Sequence, residues 1–124
     1  MSVIGSPLTL GGVSVDLLWT NSDPSASFAA QTVALDLSGY SMVMITFVWG
    51  SAGEWFTQVF EMDHKSIAFR ADRANSGGRL YNCIRPVTTS STGVVFGAAT
   101  EGNGSSTSTT NGNIIPAKIY GVKF

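Results

Sequence analysis

Short runs in which apolar and polar residues alternate recur along this chain of 124 residues, with a turn signal about every ten residues. The alternation is clear in residues 13–17, 33–37 and 67–71. A period of two is typical of a strand with one buried face, and this rhythm of strands is typical of a sandwich or a barrel. With about eight strands and no long helical segment, the sequence predicts an all-β, antiparallel two-sheet sandwich, of which the jelly roll is one form.

One domain is expected from the length, since 124 residues suffice for a single hydrophobic core. We place an N-terminal arm at residues 1–12 and the sandwich domain at residues 13–124. The start of the chain has neither the positive charge nor the long apolar run of a secretory signal, so synthesis in the cytoplasm is expected. No apolar run approaches the roughly 18 residues that cross a bilayer, which argues against membrane insertion.

The segment 42–49 is apolar on both sides of its predicted strand. Val43 and Ile45 belong to one face, while Met42 and Met44 make the other face nearly as apolar. A strand of this kind needs cover on both faces. Because the second cover is expected to come from other copies of the chain, the pattern favours an oligomer.

The segment 54–62 permits two interpretations. Ser51 and Glu54 resemble a capping box, and Phe56 and Phe60 fall at helical spacing. The aromatic and β-branched residues of the segment, and the glycine-rich turn just before it, favour a strand instead. We predict a strand, with a short helix as the alternative.

Few charges are available for an electrostatic partner, because only 12% of the residues are charged and the formal net charge is -1. Without a basic excess the chain cannot neutralise a phosphate backbone, so nucleic acid is not an expected partner. The single cysteine, Cys83, rules out an intrachain disulfide and is expected to be a small buried residue.

Residue types that carry catalysis are sparse. The one histidine, His64, lies in a polar turn and is expected to be solvated, and one His with one Cys cannot build a transition-metal site. Glu54 and Glu61 could form a glycosidase pair, an idea that rests on residue type alone. The sequence therefore predicts no cofactor, no metal site and no enzyme, and leaves a small glycan hydrolase as a distant alternative.

Binding is the remaining class of function. Tryptophans near strand ends can stack on a sugar ring, although core packing is the more common role for a tryptophan. The stretch 101–113 is a low-complexity polar loop that offers uncharged hydrogen-bonding groups, suited to glycan recognition or simply to solubility. The predicted ligand-binding residues are Trp49, Trp55, Asn103, Ser105, Thr107 and Asn111.

Two segments near the ends of the chain carry a resemblance. Leu18-Trp19-Thr20-Asn21 followed by residues 28–40, together with Ile115-Pro116-Ala117-Lys118-Ile119-Tyr120-Gly121, resembles a family of small proteins and C-terminal modules from tail and structural gene clusters of bacteriophages and prophages of Gram-positive bacteria. The match covers 18–40 and 115–121, whereas 21–27 and 49–74 are individual to this chain. A variable centre between constant edges would suit an adhesive tip. The resemblance assigns no catalytic or binding residue.

The resemblance implies a non-enzymatic structural protein of a phage tail tip or fibre. Such a protein would be made in the cytoplasm of the bacterial host and reside in the virion as a homotrimer. It would bind a cell-surface saccharide or neighbouring virion proteins. A capsid decoration or head-fibre protein without a receptor role is the alternative.

Overall fold

The computed structural model describes residues 8–10, 12–49, 53–74, 80–102 and 107–124. These residues form two antiparallel sheets without any helix, which confirms the predicted β-sandwich. Nothing in this part of the chain is a helix able to span a membrane.

Eleven strands are present in the described residues, whereas the sequence predicted about eight. Three of the eleven have only three residues each. In chain order they are β1 (Leu8–Leu10), β2 (Val13–Thr20), β3 (Gln31–Ala34), β4 (Met42–Trp49), β5 (Glu54–Glu61), β6 (Lys65–Ala74), β7 (Leu80–Ser90), β8 (Gly93–Phe96), β9 (Thr100–Gly102), β10 (Thr107–Thr109) and β11 (Ile115–Lys123). β5 confirms the strand interpretation of 54–62 over the helix. β1 falls inside the segment predicted as an arm and pairs with β2.

The first sheet has the strand order β1-β2-β11-β4-β5. The second is built around β7, which pairs with β6 along one edge and with β8 and then β9 along the other. β3 pairs with β8, and β10 pairs with β9. β8 and β9 therefore lie one after the other along the same edge of β7, with residues 97–99 between them.

The core lies between the two sheets and follows from the alternation. Val43, Ile45 and Phe47 of β4 point inward with no exposed surface, as does Ile119 of β11. Val87 of β7 meets them from the second sheet. Burying one apolar face of each sheet against the other is what stabilises a domain of this class.

The polar stretch 100–113, which was expected to be a loop, contains two short strands. Thr100–Gly102 and Thr107–Thr109 pair as the hairpin β9-β10, and β9 also pairs with β7. Backbone groups form these ladders without any apolar side chain, so composition and periodicity gave no sign of them. The tip of the hairpin, 103–106, lies outside the described residues.

The two resembling segments are neighbours in the fold. β2 pairs with β11, so that Trp19 lies opposite Ile119. Just beyond β2, the backbone N–H of Asn21 donates to Ala117 O and its Nδ2 donates to Pro116 O, both at 2.8 Å. Residues 18–21 and 115–121 thus lie side by side in the first sheet, whereas β3, within the resembling residues 28–40, belongs to the second sheet.

Gln58 joins the free edges of the two sheets. Its Nε2 donates to Ile67 O at 2.7 Å, and its Oε1 accepts from the backbone N–H of Phe69 at 3.3 Å. The amide therefore takes the place of a neighbouring strand beside β6. Satisfying exposed edge groups in this way protects an edge from pairing with other chains.

Tyr40 closes one end of the sandwich. A Cβ on Gly121 would lie 2.5 Å from its ring, so only glycine leaves room for it there. The Tyr40 hydroxyl donates to Asp16 Oδ2 at 2.6 Å, and this hydrogen bond, aided by burial, raises the pKa of Tyr40 to about 12. The folded state holds the phenolic proton more tightly than the unfolded chain, whose tyrosine has a pKa of 10.0.

We expect Tyr40→Phe to be less stable than the wild type by an amount that depends on pH. The contribution of a raised pKa is fully present below pH 10.0, the unfolded value, and is lost as the pH rises toward about 12. Urea unfolding of both proteins between pH 7 and pH 12 measures it. A difference in unfolding free energy that stays constant over the whole range would show that Asp16 does not hold this proton.

Candidate functional site

A pocket of about 380 Å³ lies between the end of β2 and the segment 21–31 that crosses from the first sheet to the second. We call it the linker pocket. Its lining consists of Trp19, Thr20, Asn21, Ser22, Asp23, Ala26, Ser27, Phe28 and Gln31. Its volume lies within the roughly 300–1,000 Å³ of small-molecule sites.

The aromatic wall of the pocket is anchored in the core. Trp19 packs edge-on to Phe28, with ring centroids 6.2 Å apart. Phe28 packs in the same way against the buried Phe96, at 5.5 Å. Because both contacts fix the rings, the indole is positioned before any ligand arrives.

Local hydrogen bonds order the linker. Asn21 Oδ1 accepts from the backbone N–H of Asp23 at 3.0 Å, and the N–H of Ala26 donates to Asp23 O at 3.1 Å. Asp23 Oδ1 accepts from the N–H and the hydroxyl of Ser25, at 3.1 and 2.5 Å. Side chains of Asn and Asp make such turns readily. A loop ordered in advance loses less conformational entropy on binding.

Asp23 gives the pocket its electrostatic character. The hydrogen bonds from the hydroxyl and the backbone of Ser25 lower the pKa of Asp23, so the carboxylate is ionised at neutral pH. None of the lining residues is Lys, Arg or His. The pocket therefore accepts hydrogen bonds from neutral donors and disfavours anions.

Behind Phe28 lies a buried arginine. Arg85 has no exposed surface, and its guanidinium is centred 5.4 Å from the Phe28 ring centroid. Nε donates to Ile114 O at 2.7 Å and Nη1 donates to Gly97 O at 2.8 Å, while Nη2 makes longer bonds to Asn111 O and Asn113 O. Burial lowers the pKa of Arg85 to about 10, so it stays charged at neutral pH. This arginine fixes the segments that support the pocket.

The predicted tryptophans lie apart from this pocket. Trp49 is 6% exposed, and the Arg70 guanidinium lies 4.9 Å from its ring centroid, which leaves little of the ring for a sugar. Trp55 is 53% exposed on β5. It pairs with Val48 at an edge of the first sheet.

The other predicted residues belong to the hairpin region. Thr107 borders a smaller pocket of about 230 Å³ with Asn82, Ile84, Thr100 and Gly102. The side chain of Asn111 accepts from the backbone N–H of Ala99 at 3.0 Å, and its carbonyl accepts from Phe28 N–H at 2.9 Å. These contacts give Asn111 a structural role. Asn103 and Ser105 lie outside the described residues.

The structure does not bring together Glu54 and Glu61, the two residues considered as a glycosidase pair. Glu54 bonds Arg70 and Glu61 bonds His64, each at 2.7 Å. The two glutamates lie at opposite ends of β5, and seven steps along a strand place them about 23 Å apart. Glycosidase carboxyls lie within about 10 Å of each other. No group of three His, Cys, Asp or Glu side chains in the described ranges could hold a metal ion.

Sequence reasoning missed the linker pocket. The available signal was Trp19, followed within four residues by Asn21 and Asp23 at the end of a predicted strand. Aromatic and polar residues of this kind at a strand end indicate a binding site only once the loop is known to fold back. Its closure depends on Asn21 reaching Pro116, 95 residues away in the chain.

No family model, curated protein or solved structure matches this chain.

Proposed function

We propose that this protein is a non-enzymatic, saccharide-binding component of a phage tail tip or fibre, and that the linker pocket is its ligand site. The observation that carries the proposal is an anchored indole beside an ionised carboxylate, on a loop that hydrogen bonds already order. Amides and hydroxyls complete the lining, which contains no cation.

Each of these groups suits a sugar. The C–H face of a pyranose packs on an aromatic ring, for which Trp19 is available. Sugar hydroxyls donate to carboxylate oxygens, and charge-assisted bonds of this kind are stronger than neutral ones. The side chains of Gln31 and Ser27 add neutral donors and acceptors. A phosphate or another anion would face the Asp23 carboxylate without a compensating positive charge.

The placement of the pocket supports a tail protein. Trp19 and Asn21 belong to the segment that carries the resemblance, and Asn21 ties the pocket to the matching segment at Pro116 and Ala117. The segment 21–27, which is individual to this chain, contributes Ser22, Asp23, Ala26 and Ser27 to the lining. A constant frame that carries an individual loop is the arrangement expected of an adhesive tip whose targets differ.

A capsid decoration or head-fibre protein is the second candidate. One observation favours it: Leu17 of β2 and Val59 of β5, both in the first sheet, are each 53% exposed, and such apolar side chains would suit contact with other virion subunits.

Asp23→Asn tests the proposal, because it keeps the shape of the side chain and removes the charge. We expect binding to a responsive saccharide on a glycan array, or adsorption to host cells, to weaken at least about tenfold, since a charge-assisted hydrogen bond contributes roughly 1.5–3 kcal/mol.

Asp36→Asn is the matched control. Asp36 accepts the same two bonds from Ser38, at 3.1 and 2.5 Å, and its pKa is lowered for the same reason, yet it does not line the pocket. It should bind as the wild type does. Equal binding by both variants and the wild type would refute the linker pocket as the saccharide site.

A further inference from the structure

The smaller pocket, of about 230 Å³, lies on the second sheet where the hairpin β9-β10 meets β7. We call it the hairpin pocket. The strand registers explain its shape, because Asn82 lies opposite Gly102 and Gly102 lies opposite Thr107. Glycine has no side chain, so the side chains of Asn82 and Thr107, two strand spacings apart, border a gap of roughly 10 Å.

We propose that the hairpin pocket is a second subsite for the saccharide held by the linker pocket, and that the ligand is an oligosaccharide long enough to reach both. The inference rests on the saccharide binding proposed above and adds the length of the ligand. It also gives a role to Thr107, which the sequence predicted to bind a ligand.

The hairpin pocket offers uncharged hydrogen-bonding groups. The side chains of Asn82 and Thr107 are exposed, and Thr100 is half-buried. An amide and a hydroxyl both donate and accept hydrogen bonds, as the hydroxyls of a sugar do. The charged residue of β9, Glu101, lies opposite the buried Cys83 and therefore points to the inner side of the sheet. Among the described residues, none that lines this pocket is charged.

An apolar surface lies beside these polar groups. Ile84 belongs to the lining, and Phe69 of β6 lies opposite Ile84 with 48% of its surface exposed. The C–H face of a pyranose packs on an aromatic ring of this kind. Both pockets therefore combine an aromatic ring with hydroxyls and an amide, which suits one class of ligand.

The two pockets lie along the same edge of the second sheet. β8 and β9 both pair with β7, and they carry β3 and β10 on their far sides. Through β8, Gln31 of the linker pocket is level with Val87. Through β9, Thr107 of the hairpin pocket is level with Asn82. Five steps along β7 separate the two levels, which is about 17 Å.

The chain itself connects the pockets along this edge. Residues 107–111 begin at the hairpin pocket, which Thr107 lines. They end at Asn111, whose carbonyl accepts from the N–H of Phe28 in the linker pocket at 2.9 Å. All three residues of β10 are exposed. An oligosaccharide that follows β10 therefore meets accessible threonine and serine hydroxyls between the two pockets.

The size of the hairpin pocket indicates a subsite rather than a separate site. Its volume of about 230 Å³ is below the roughly 300–1,000 Å³ of small-molecule sites, whereas the linker pocket, at about 380 Å³, is within that range. A subsite needs little affinity of its own, because a ligand already held in the linker pocket is presented to it at a high effective concentration.

The test measures how affinity depends on ligand length. The probes are neutral oligomers of β-1,4-linked N-acetylglucosamine, β-1,4-linked glucose and α-1,4-linked glucose, each from the disaccharide to the hexasaccharide. In a series that binds, the affinity of the wild type should rise at least about tenfold from the shortest member to the longest. Binding to none of the series would refute the neutral saccharide ligand and the second subsite together.

The double variant Asn82→Ala/Thr107→Val removes the two polar walls of the hairpin pocket. It should weaken binding of the hexasaccharide at least about fivefold and leave binding of the disaccharide unchanged, since two neutral hydrogen bonds are lost only with the long ligand. The matched control is Thr32→Val, at an exposed threonine of β3 that lines neither pocket. It should bind both ligands as the wild type does, and circular dichroism checks that each variant is folded.

Backbone amide signals of the unaltered protein give the same test without a variant. The signals of Gly102 and Thr107 should shift with the hexasaccharide and stay in place with the disaccharide. If they stay in place with both, or if the double variant binds the hexasaccharide as tightly as the wild type, the second subsite is wrong. The linker pocket would still stand in that case if Asp23→Asn weakens binding of the disaccharide. An unchanged affinity in Asp23→Asn would instead refute the linker pocket.

Discussion

Replacing Arg85 with methionine is expected to lower the free energy of unfolding by roughly 3 kcal/mol. The substitution removes the donors for Ile114 O and Gly97 O, and each charge-assisted bond contributes about 1.5–3 kcal/mol. Relief from burying the guanidinium offsets part of this loss. The carbonyl of Ile114 stays buried without its partner, on a residue whose φ of 48° is already strained for a β-branched side chain.

Arg70→Met is the control for this prediction. Arg70 is partly exposed, stacks on Trp49 and bonds the exposed Glu54. Exposed ion pairs and cation–π contacts each contribute about 1 kcal/mol or less, so a loss of about 1 kcal/mol is expected. Urea denaturation of both variants gives the comparison. Equal losses would mean that the bonds from Arg85 to the backbone carbonyls contribute no more to stability than an exposed ion pair does.

Gly93→Ala is expected to destabilise the fold by roughly 3 kcal/mol. A Cβ at Gly93 would lie 2.3 Å from Val33 O and 3.1 Å from Ala34 Cα, so β3 and β8 would have to separate. The φ of +148° at this position is also unfavourable for any residue with a side chain.

Gly39→Ala separates the two causes. Gly39 has a φ of +87° but no atom within 4 Å of its Cβ position, so only the backbone penalty of about 1 kcal/mol applies. Urea midpoints of the two variants show the difference. If Gly93→Ala lost no more unfolding free energy than Gly39→Ala, the close contact with β3 would contribute nothing to the cost of the substitution.

Alternation revealed most of the strands but not the inward face of each one. In β7, Cys83 and Arg85 share one side of the strand and Asn82 and Ile84 share the other, so hydrophobicity alone does not decide between them. The structure buries the side with Cys83 and Arg85. An arginine is tolerated there because backbone carbonyls from residues 97 and 111–114 converge on it, and such long-range convergence has no local sequence signal.

Contacts between segments far apart in the sequence, or between backbone groups, explain the other differences between the predictions and the structure. The hairpin β9-β10 consists of threonine, serine, glycine and glutamate, whose pattern does not distinguish a strand from a loop. Trp49 was predicted to bind a ligand because it ends a strand beside a turn. Its ring is covered by Arg70 of β6, a strand of the other sheet, and the sequence did not show that these two strands lie close together. The linker pocket was missed because it also depends on a contact between residues far apart in the sequence, the hydrogen bond from Asn21 to Pro116.

The most direct test of the linker pocket is a saccharide titration of the isotope-labelled protein followed by NMR. The chain has three tryptophans, so the indole N–H signals of Trp19, Trp49 and Trp55 report on three separate places. With the saccharide that binds best on the array, the Trp19 signal should shift in a saturable way and the other two should stay in place. In Asp23→Asn the same shift should need at least about tenfold more saccharide. A saturable shift of Trp55 with Trp19 unchanged would contradict the account.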